Sequence, residues 1–120
     1  MNEFDYLAKA KKNMEKERYH EALDKIDNYI NTGGNIYKEV YKIRGNANFE
    51  LKNYKAAITD YIKGLAFEED ADLYYSLGLS YDKLKQFSLA CENFKKALKI
   101  NPQVEEDKYY KIPFLVKMFM

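Results

Sequence analysis

Residues 71–102 read ADLYYSLGLSYDKLKQFSLACENFKKALKINP and contain two patterns of regularly spaced residues. In the first pattern, a tyrosine stands four residues before Gly78. In the second, Phe87 stands three residues before Ala90, and Phe94 follows four residues after that alanine. Spacings of three and four place side chains on one face of an α-helix. The stretch therefore predicts two helices that nest against each other where each has a small residue.

Both patterns occur twice more upstream, so the chain consists of three similar units. The aromatic residue of the second pattern recurs after 35 and then after 33 residues. The matching residues are Tyr19, Tyr54 and Phe87 at the start of the second helices, Ala22, Ala57 and Ala90 within them, and Ala10, Gly45 and Gly78 in the first helices. An ordinary six-helix bundle is the alternative, but a bundle has no reason to keep this period.

Turn and charge signals set the expected ends of six helices, at about 3–16, 19–31, 36–51, 54–67, 71–84 and 87–100. Gly33 and Gly34 can both adopt positive φ in a loop after the second helix. Pro102 disfavours helical geometry in Asn101 and ends the sixth helix. The acidic run at 68–72 suits the N-terminal end of the fifth helix, which carries a partial positive charge.

One position breaks the pattern in the first unit. Gly64 and Ala97 are small where we expect successive units to meet, whereas the first unit has Tyr29 at the matching place. The packing of the first unit must therefore differ there.

The third unit resembles the tetratricopeptide repeat family, whose unit is a helix–turn–helix of about 34 residues. The residues that carry the resemblance are Tyr74 in place of the family's tryptophan, Leu77, Gly78, Tyr81, Ala90, Phe94 and Pro102. The second unit departs from the pattern at Arg44, Asn48 and Glu69, and the first departs at Lys9, Asn13 and Gly34. The resemblance implies an all-α, right-handed α-solenoid with units at 3–34, 36–69 and 71–102, followed by a C-terminal cap or interaction tail at 103–120.

The composition and motifs favour a binding protein over an enzyme or a nucleic-acid binder. Twenty basic and nineteen acidic residues give a net charge of +1, without the basic excess of most nucleic-acid binders. His20 and Cys91 are the only residues of their types, and no catalytic, cofactor or metal motif is present. We expect a cytoplasmic protein without a membrane span, since the chain opens on no secretion leader and its longest apolar stretch, 112–120, is short.

The resemblance implies that the first helices of the units line a concave groove. Each first helix carries a second stripe of residues, stepping by three, four and three, distinct from its packing stripe. These candidate groove residues are Phe4, Leu7, Lys11 and Met14, then Glu39, Lys42, Asn46 and Phe49, then Asp72, Tyr75, Leu79 and Asp82. Their mixture of apolar and charged side chains predicts a peptide or helix of a partner protein as ligand. The alternative is that the stripes form a partly buried wall.

Some members of the family bind the acidic C-terminal tails of cytosolic chaperones through lysine, asparagine and arginine side chains. The positions that match this clamp are Leu7, Lys11, Ile43, Asp72 and Ser76, and none keeps the family's residue. Asp72 would also repel a carboxylate. The sequence therefore disfavours a chaperone tail as the ligand.

The last segment has two interpretations. The acids at 105–107 suit the start of a helix that covers the third unit, although Pro113 would kink or break a helix that ran through it. Residues 112–120 are almost entirely apolar, with Lys117 as the one charged residue. They form either a cap within the chain or an exposed patch through which the chain assembles into a homo-oligomer.

Overall fold

The computed structural model describes residues 2–104 and 112–120, apart from the side chains of Glu3 and Phe4. The regular structure in these residues is helical. The helices are α1 (Glu3–Glu15), α2 (Tyr19–Asn31), α3 (Lys38–Glu50), α4 (Tyr54–Leu65), α5 (Ala71–Lys83), α6 (Phe87–Ile100) and α7 (Phe114–Lys117). Each end of the first six helices lies within two residues of its predicted position.

The helices pack as three consecutive pairs, α1 with α2, α3 with α4 and α5 with α6. Neighbouring pairs meet through α2 and α3, and through α4 and α5. The buried apolar residues form three clusters that follow one another along this array. The predicted all-α solenoid is confirmed, because helices of a bundle would share one central core.

Small residues let the two helices of a pair approach closely. A Cβ atom at Gly45 would lie 2.6 Å from the ring of Tyr61, and one at Gly78 would lie 2.5 Å from the ring of Phe94. Both distances are below any ordinary contact, so the aromatic ring fills the space that the glycine leaves open. In the first unit the matching residue is the buried Ala10, and its cluster contains the smaller Ile26.

The turn inside each unit uses the same backbone geometry. Glu17, Lys52 and Lys85 have φ values of 59°, 66° and 59°, which is the left-handed region. The N–H of the following residue then donates to a carbonyl in the first helix, at 2.8 to 2.9 Å in all three units. This arrangement satisfies the last carbonyls of a helix and reverses the chain. The three turns recur at the same intervals of 35 and 33 residues as the sequence pattern.

Tyr29 explains the different packing that we expect in the first unit. Its side chain is buried, and its hydroxyl donates to the carbonyl of Asn35 at 2.7 Å. The ring covers Gly34, where a Cβ atom would lie 2.6 Å away. Of the two glycines in this loop, Gly33 adopts positive φ, at 82°, and Gly34 does not. The prediction that Gly34 serves the turn by positive φ is therefore wrong, because this glycine instead makes room for Tyr29.

The C-terminal segment packs on the third unit. Val104, Ile112 and Val116 are buried in the same cluster as Phe94. Pro113 stands at the N-cap of α7, where a missing N–H costs no helical hydrogen bond, so the proline starts this helix instead of kinking it. The acidic run 105–107 lies outside the described residues.

Candidate binding groove

A cleft of about 390 Å³ lies on the side of the array formed by α1, α3 and α5. Four of the predicted groove residues line it: Met14, Asn46, Phe49 and Leu79. Four further lining residues are Tyr19, Glu50, Tyr61 and Ser76. The cleft follows the C-terminal halves of the first helices, so the second stripes of all three units converge on one surface.

Two contacts fix the side chains in the centre of this cleft. The hydroxyl of Tyr61 donates to Asn46 Oδ1 at 2.7 Å, which orients the amide. Within residues 2–104 and 112–120, Asn46 Nδ2 has no protein acceptor, so it can donate to a ligand. The ring of Phe49 meets the ring of Tyr54 edge to face, with centroids 5.4 Å apart. The groove thus presents the oriented amide of Asn46 beside the packed aromatic ring of Phe49.

Two carboxylates, those of Glu50 and Glu17, lie near one end of the cleft. Burial raises the pKa of the Tyr19 phenol, and the negative charges of Glu50 and Glu17 raise it further. Both carboxylates therefore lie close enough to disfavour a second negative charge there. No lining residue of the cleft is basic. Its surface combines apolar and polar side chains and has an acidic rim, which favours a ligand that combines apolar side chains with positive charge.

Ion pairs join the N-terminal half of α3 to the start of α5. Lys38 Nζ lies 2.8 Å from both Glu68 and Asp70, and Lys42 Nζ lies 3.5 Å from Asp72 and 3.7 Å from Asp70. Hydrogen bonds to Asp70 and Glu68 raise the pKa of Lys38. Burial alone would raise the pKa of Asp70, but the hydrogen bonds from Lys38 and the backbone of Leu73 outweigh it and lower that pKa. Of the candidate groove residues, Lys42 and Asp72 thus hold α3 against α5.

The prediction that Tyr75 lines the groove is wrong. Its side chain is 0% exposed and packs edge to face against Phe94, with ring centroids 5.3 Å apart. Tyr75 occupies the position that Lys42 has in the second unit, but its neighbours are the apolar residues Val104 and Ile112 from the segment that follows α6. Val104 and Ile112 therefore enclose Tyr75 in the third unit.

The remaining candidate residues lie outside the cleft. Lys11 is exposed, and Glu39 and Asp82 are half-buried. Leu7 packs against the cluster of the first unit. The side chain of Phe4 falls outside the described residues.

Sequence reasoning missed four lining residues because it considered only the stripes on the first helices. The repeat pattern places Tyr61, which matches Phe94 of the third unit, among the packing residues, and places Tyr19 at the start of the second helix. One signal was present: the third unit has Phe94 where the second has Tyr61. A tyrosine in a packing position requires a partner for its hydroxyl, and Asn46 on the facing helix supplies it.

The single histidine and the single cysteine of the sequence do not line the cleft. Residues 2–104 and 112–120 contain no group of three histidine, cysteine or acidic side chains placed to hold a metal ion. His20 is exposed. Cys91 is buried, and its thiol lies 3.5 Å from the carbonyl of Val116 as a donor. None of the helices that the structure describes is long and apolar enough to cross a membrane.

The stacked helix pairs and the cleft along their first helices define the chain as a short helical-repeat protein with the architecture of an interaction module. A family model described as "Tetratricopeptide repeat" matches residues 71–104. Residues 71–104 therefore form a tetratricopeptide repeat, and the chain is similar to proteins of this repeat family.

A curated relative and several solved structures share this architecture. Tetratricopeptide repeat protein 12 of Homo sapiens is 30% identical over 89 residues, which cover 73% of this chain and 12% of that protein. The chain therefore spans about an eighth of the length of this relative. A crystal structure of MamA is 28% identical and superposes with a TM-score of 0.82, over 88% of this chain and 61% of that one.

Two further structures are similar in fold at lower identity. The Arabidopsis OM64 TPR domain superposes with a TM-score of 0.84 at 18% identity, over 98% of this chain and 96% of that one. The first TPR of Spaghetti (RPAP3), bound to the HSP90 peptide SRMEEVD, gives a TM-score of 0.77 at 18% identity, over 98% and 86%. At this identity the two structures support the fold alone.

Proposed function

We propose that the chain is a protein-interaction module that binds a peptide or helix of a partner protein in the cleft between α1, α3 and α5. The observation that carries this proposal is the convergence of apolar side chains from all three units on one concave surface with acidic residues at its edge. Such a surface suits helix-in-groove or extended-peptide recognition, in which a few apolar anchors supply the affinity.

The cleft specifies the chemistry of its ligand. Met14, Phe49 and Leu79 would hold one or two apolar side chains, and the Asn46 amide would donate to a backbone carbonyl of the ligand. A lysine or arginine of the ligand would lie near Glu50.

An acidic chaperone tail fits this surface poorly. Of the positions that match the family's carboxylate clamp, Ile43 is buried, and Asp72 is itself negative and paired with Lys42. Neither side chain can bind a carboxylate.

Selection of binders from a displayed library of random peptides tests the proposal. We expect the wild-type chain to enrich peptides with two apolar residues near a lysine or arginine. The variant Ser76→Arg places a long cationic side chain in the cleft and should weaken binding of the enriched peptides by about tenfold or more. Thr59→Arg, on an exposed position of α4 away from the cleft, is the matched control. Equal binding by both variants would refute the groove as the site.

A self-associating structural subunit is the second candidate, and the exposed C-terminal tail favours it. The side chains of Phe114, Leu115, Met118 and Phe119 lie largely in solvent. Apolar patches of this kind mark interaction sites more often than free surface. Light scattering at increasing protein concentration tests this candidate. The variant Phe114→Ser/Met118→Ser spares the buried Ile112 and Val116 and should remain a monomer if the tail drives assembly.

A further inference from the structure

The C-terminal tail presents an apolar knob to solvent. Phe114, Leu115, Met118 and Phe119 are 76%, 60%, 66% and 69% exposed. The spacing of Phe114, Leu115 and Met118 puts them on one side of the chain around α7, whereas Val116 is buried against the third unit. The ring of Phe119 stacks on Phe87 of α6, with centroids 6.5 Å apart. The exposed area of these four large apolar side chains together approaches a few hundred Å². Exposed apolar patches of that size often mark interaction sites.

The knob and the cleft are complementary surfaces of the same chain. The knob is convex and apolar, and residues 112–120 contain Lys117 and no acidic residue. The cleft is concave, and its lining combines the apolar side chains of Met14, Phe49 and Leu79 with polar ones. Glu50 is on its lining and Glu17 lies near Tyr19. Its volume of about 390 Å³ falls in the range of pockets that enclose a few large groups.

Other clefts in the described part of the chain match the knob less well. A cleft of about 580 Å³ on α6 is lined by Phe119 of the same chain, together with the charged side chains of Glu92 and Lys95. A cleft of about 490 Å³ along α1 and α2 is lined by four lysines, Lys9, Lys12, Lys16 and Lys25, which have the same charge as the tail. A cleft of about 430 Å³ beside α4 contains the charged side chains of Arg44, Asp60 and Lys63. Burying an apolar knob against these groups would desolvate charges without pairing them.

We propose that the ligand of the cleft is the C-terminal tail of a second copy of this chain, with one or two of the exposed side chains of Phe114, Leu115 and Met118 seated between α1, α3 and α5. This inference rests on the proposed binding role of the cleft and names its occupant. The tail of one chain is held on the third unit by Val116, Ile112 and the stacking of Phe119 on Phe87, which are residues that do not line its own groove.

The symmetry of this contact follows from its two unlike halves. Each copy offers one knob and one groove on different parts of the surface, so the contact is heterologous. Such contacts continue from copy to copy unless the rotation between copies closes a ring. The mass of the wild-type protein should therefore rise with concentration, either to a closed ring of two or more copies or to an open series. A direct tail-to-tail contact would be isologous and would stop at the dimer.

Mixing two assembly-deficient variants tests the proposal. Ser76→Arg blocks the groove and leaves the tail intact, and Phe114→Ser/Met118→Ser alters the tail and leaves the groove intact. In sedimentation velocity each variant alone should be a monomer, and an equimolar mixture should form a one-to-one complex that grows no further. Thr59→Arg should assemble as the wild type does, and thermal unfolding verifies that each variant is folded.

Three outcomes would overturn the proposal: a wild-type chain that is monomeric at every concentration, a Ser76→Arg variant that still assembles, or a mixture that stays monomeric. A fluorescent peptide of residues 112–120, added to the tail variant, separates this proposal from the broader one. If library-selected peptides bind the groove and the tail peptide does not, only the identity of the occupant is wrong. If neither binds, the groove has no binding role.

Discussion

The second and third units place different chemistry at the same positions of the same fold. In the second unit, Arg44 Nε donates to Asp60 at 2.9 Å and Asn48 Nδ2 donates to the same carboxylate at 3.0 Å. Arg44 also reaches Asp27 of the first unit at 3.2 Å. Thirty-three residues later the matching positions hold Leu77, Tyr81 and Asn93. There, Leu77 and Tyr81 join an apolar cluster, and the Asn93 amide donates to the carbonyl of Leu89 at 2.9 Å.

The comparison separates two kinds of position. At some positions the size of the side chain sets the packing of the helices, and at others the residue type depends on the side chains around it. Gly45 with Tyr61, and Gly78 with Phe94, have the same role in both units, since each glycine admits a ring. The polar trio of Arg44, Asn48 and Asp60 stands where the third unit has Leu77, Tyr81 and Asn93, within the same pairing of helices. Burial raises the pKa of Asp60 even though Arg44 and Asn48 stabilise its charge. The second unit therefore contains a carboxylate that depends on its partners.

Removing the guanidinium should produce the largest loss of stability. Arg44→Met keeps most of the apolar stem and leaves Asp60 buried without its counter-charge. We expect the free energy of unfolding at neutral pH to fall by about 3 kcal/mol, the lower end for a broken buried pair, because Arg44 remains partly exposed. Denaturant titration measures this loss. At acidic pH the loss should shrink, since a protonated Asp60 requires no counter-charge.

The matched control converts the second unit to the residues of the third. Arg44→Leu, Asn48→Tyr and Asp60→Asn together remove the carboxylate along with its partners, so the stability should stay within about 1 kcal/mol of wild type. A triple variant as unstable as Arg44→Met would mean that the apolar solution of the third unit does not transfer to the second.

A methyl group at Gly45 tests the part of the comparison that is common to both units. Gly45→Ala brings a Cβ atom onto the buried ring of Tyr61 and should cost about 1–2 kcal/mol, since overpacking outweighs the higher helix propensity of alanine. The first unit pairs Ala10 with Ile26, so the additional change Tyr61→Ile should recover part of the loss. A double-mutant cycle measures this coupling, and additive effects would show that the ring does not exclude the methyl group.

The same distinction between the two kinds of position explains how much of the fold and of the groove the sequence predicts. Small and aromatic residues at fixed spacing predicted the helices and their pairing, because nesting of helices depends on side-chain size along one face. Tyr75 was misplaced because its burial depends on Val104 and Ile112, which come from a segment without repeat pattern. The ion pair of Lys42 with Asp72 was not foreseen either, because it joins different units at a distance that helical periodicity does not specify.

The smallest expected effect on stability concerns the start of the third unit. The N-cap residue of α5 is Asp70, whereas the N-cap residue of α3 is Tyr37, which makes no side-chain cap. Asp70 accepts a hydrogen bond from the N–H of Leu73 at 3.1 Å and also pairs with Lys38 of the second unit. Asp70→Asn keeps an N-cap side chain and removes the charge. The free energy of unfolding at neutral pH should therefore fall by only about 0.5–1 kcal/mol.

The pH dependence identifies the cause of that loss. Because the folded state lowers the pKa of Asp70, its charge stabilises the fold above the ordinary aspartate pKa, and this contribution disappears as the pH falls through the lowered value. The difference between wild type and Asp70→Asn should therefore vanish in acid and shrink in high salt. Glu68→Gln, at an exposed carboxylate on the same lysine, should change stability less at every pH. A difference between Asp70→Asn and wild type that persists in acid would assign the role of Asp70 to capping alone and not to the ion pair between units.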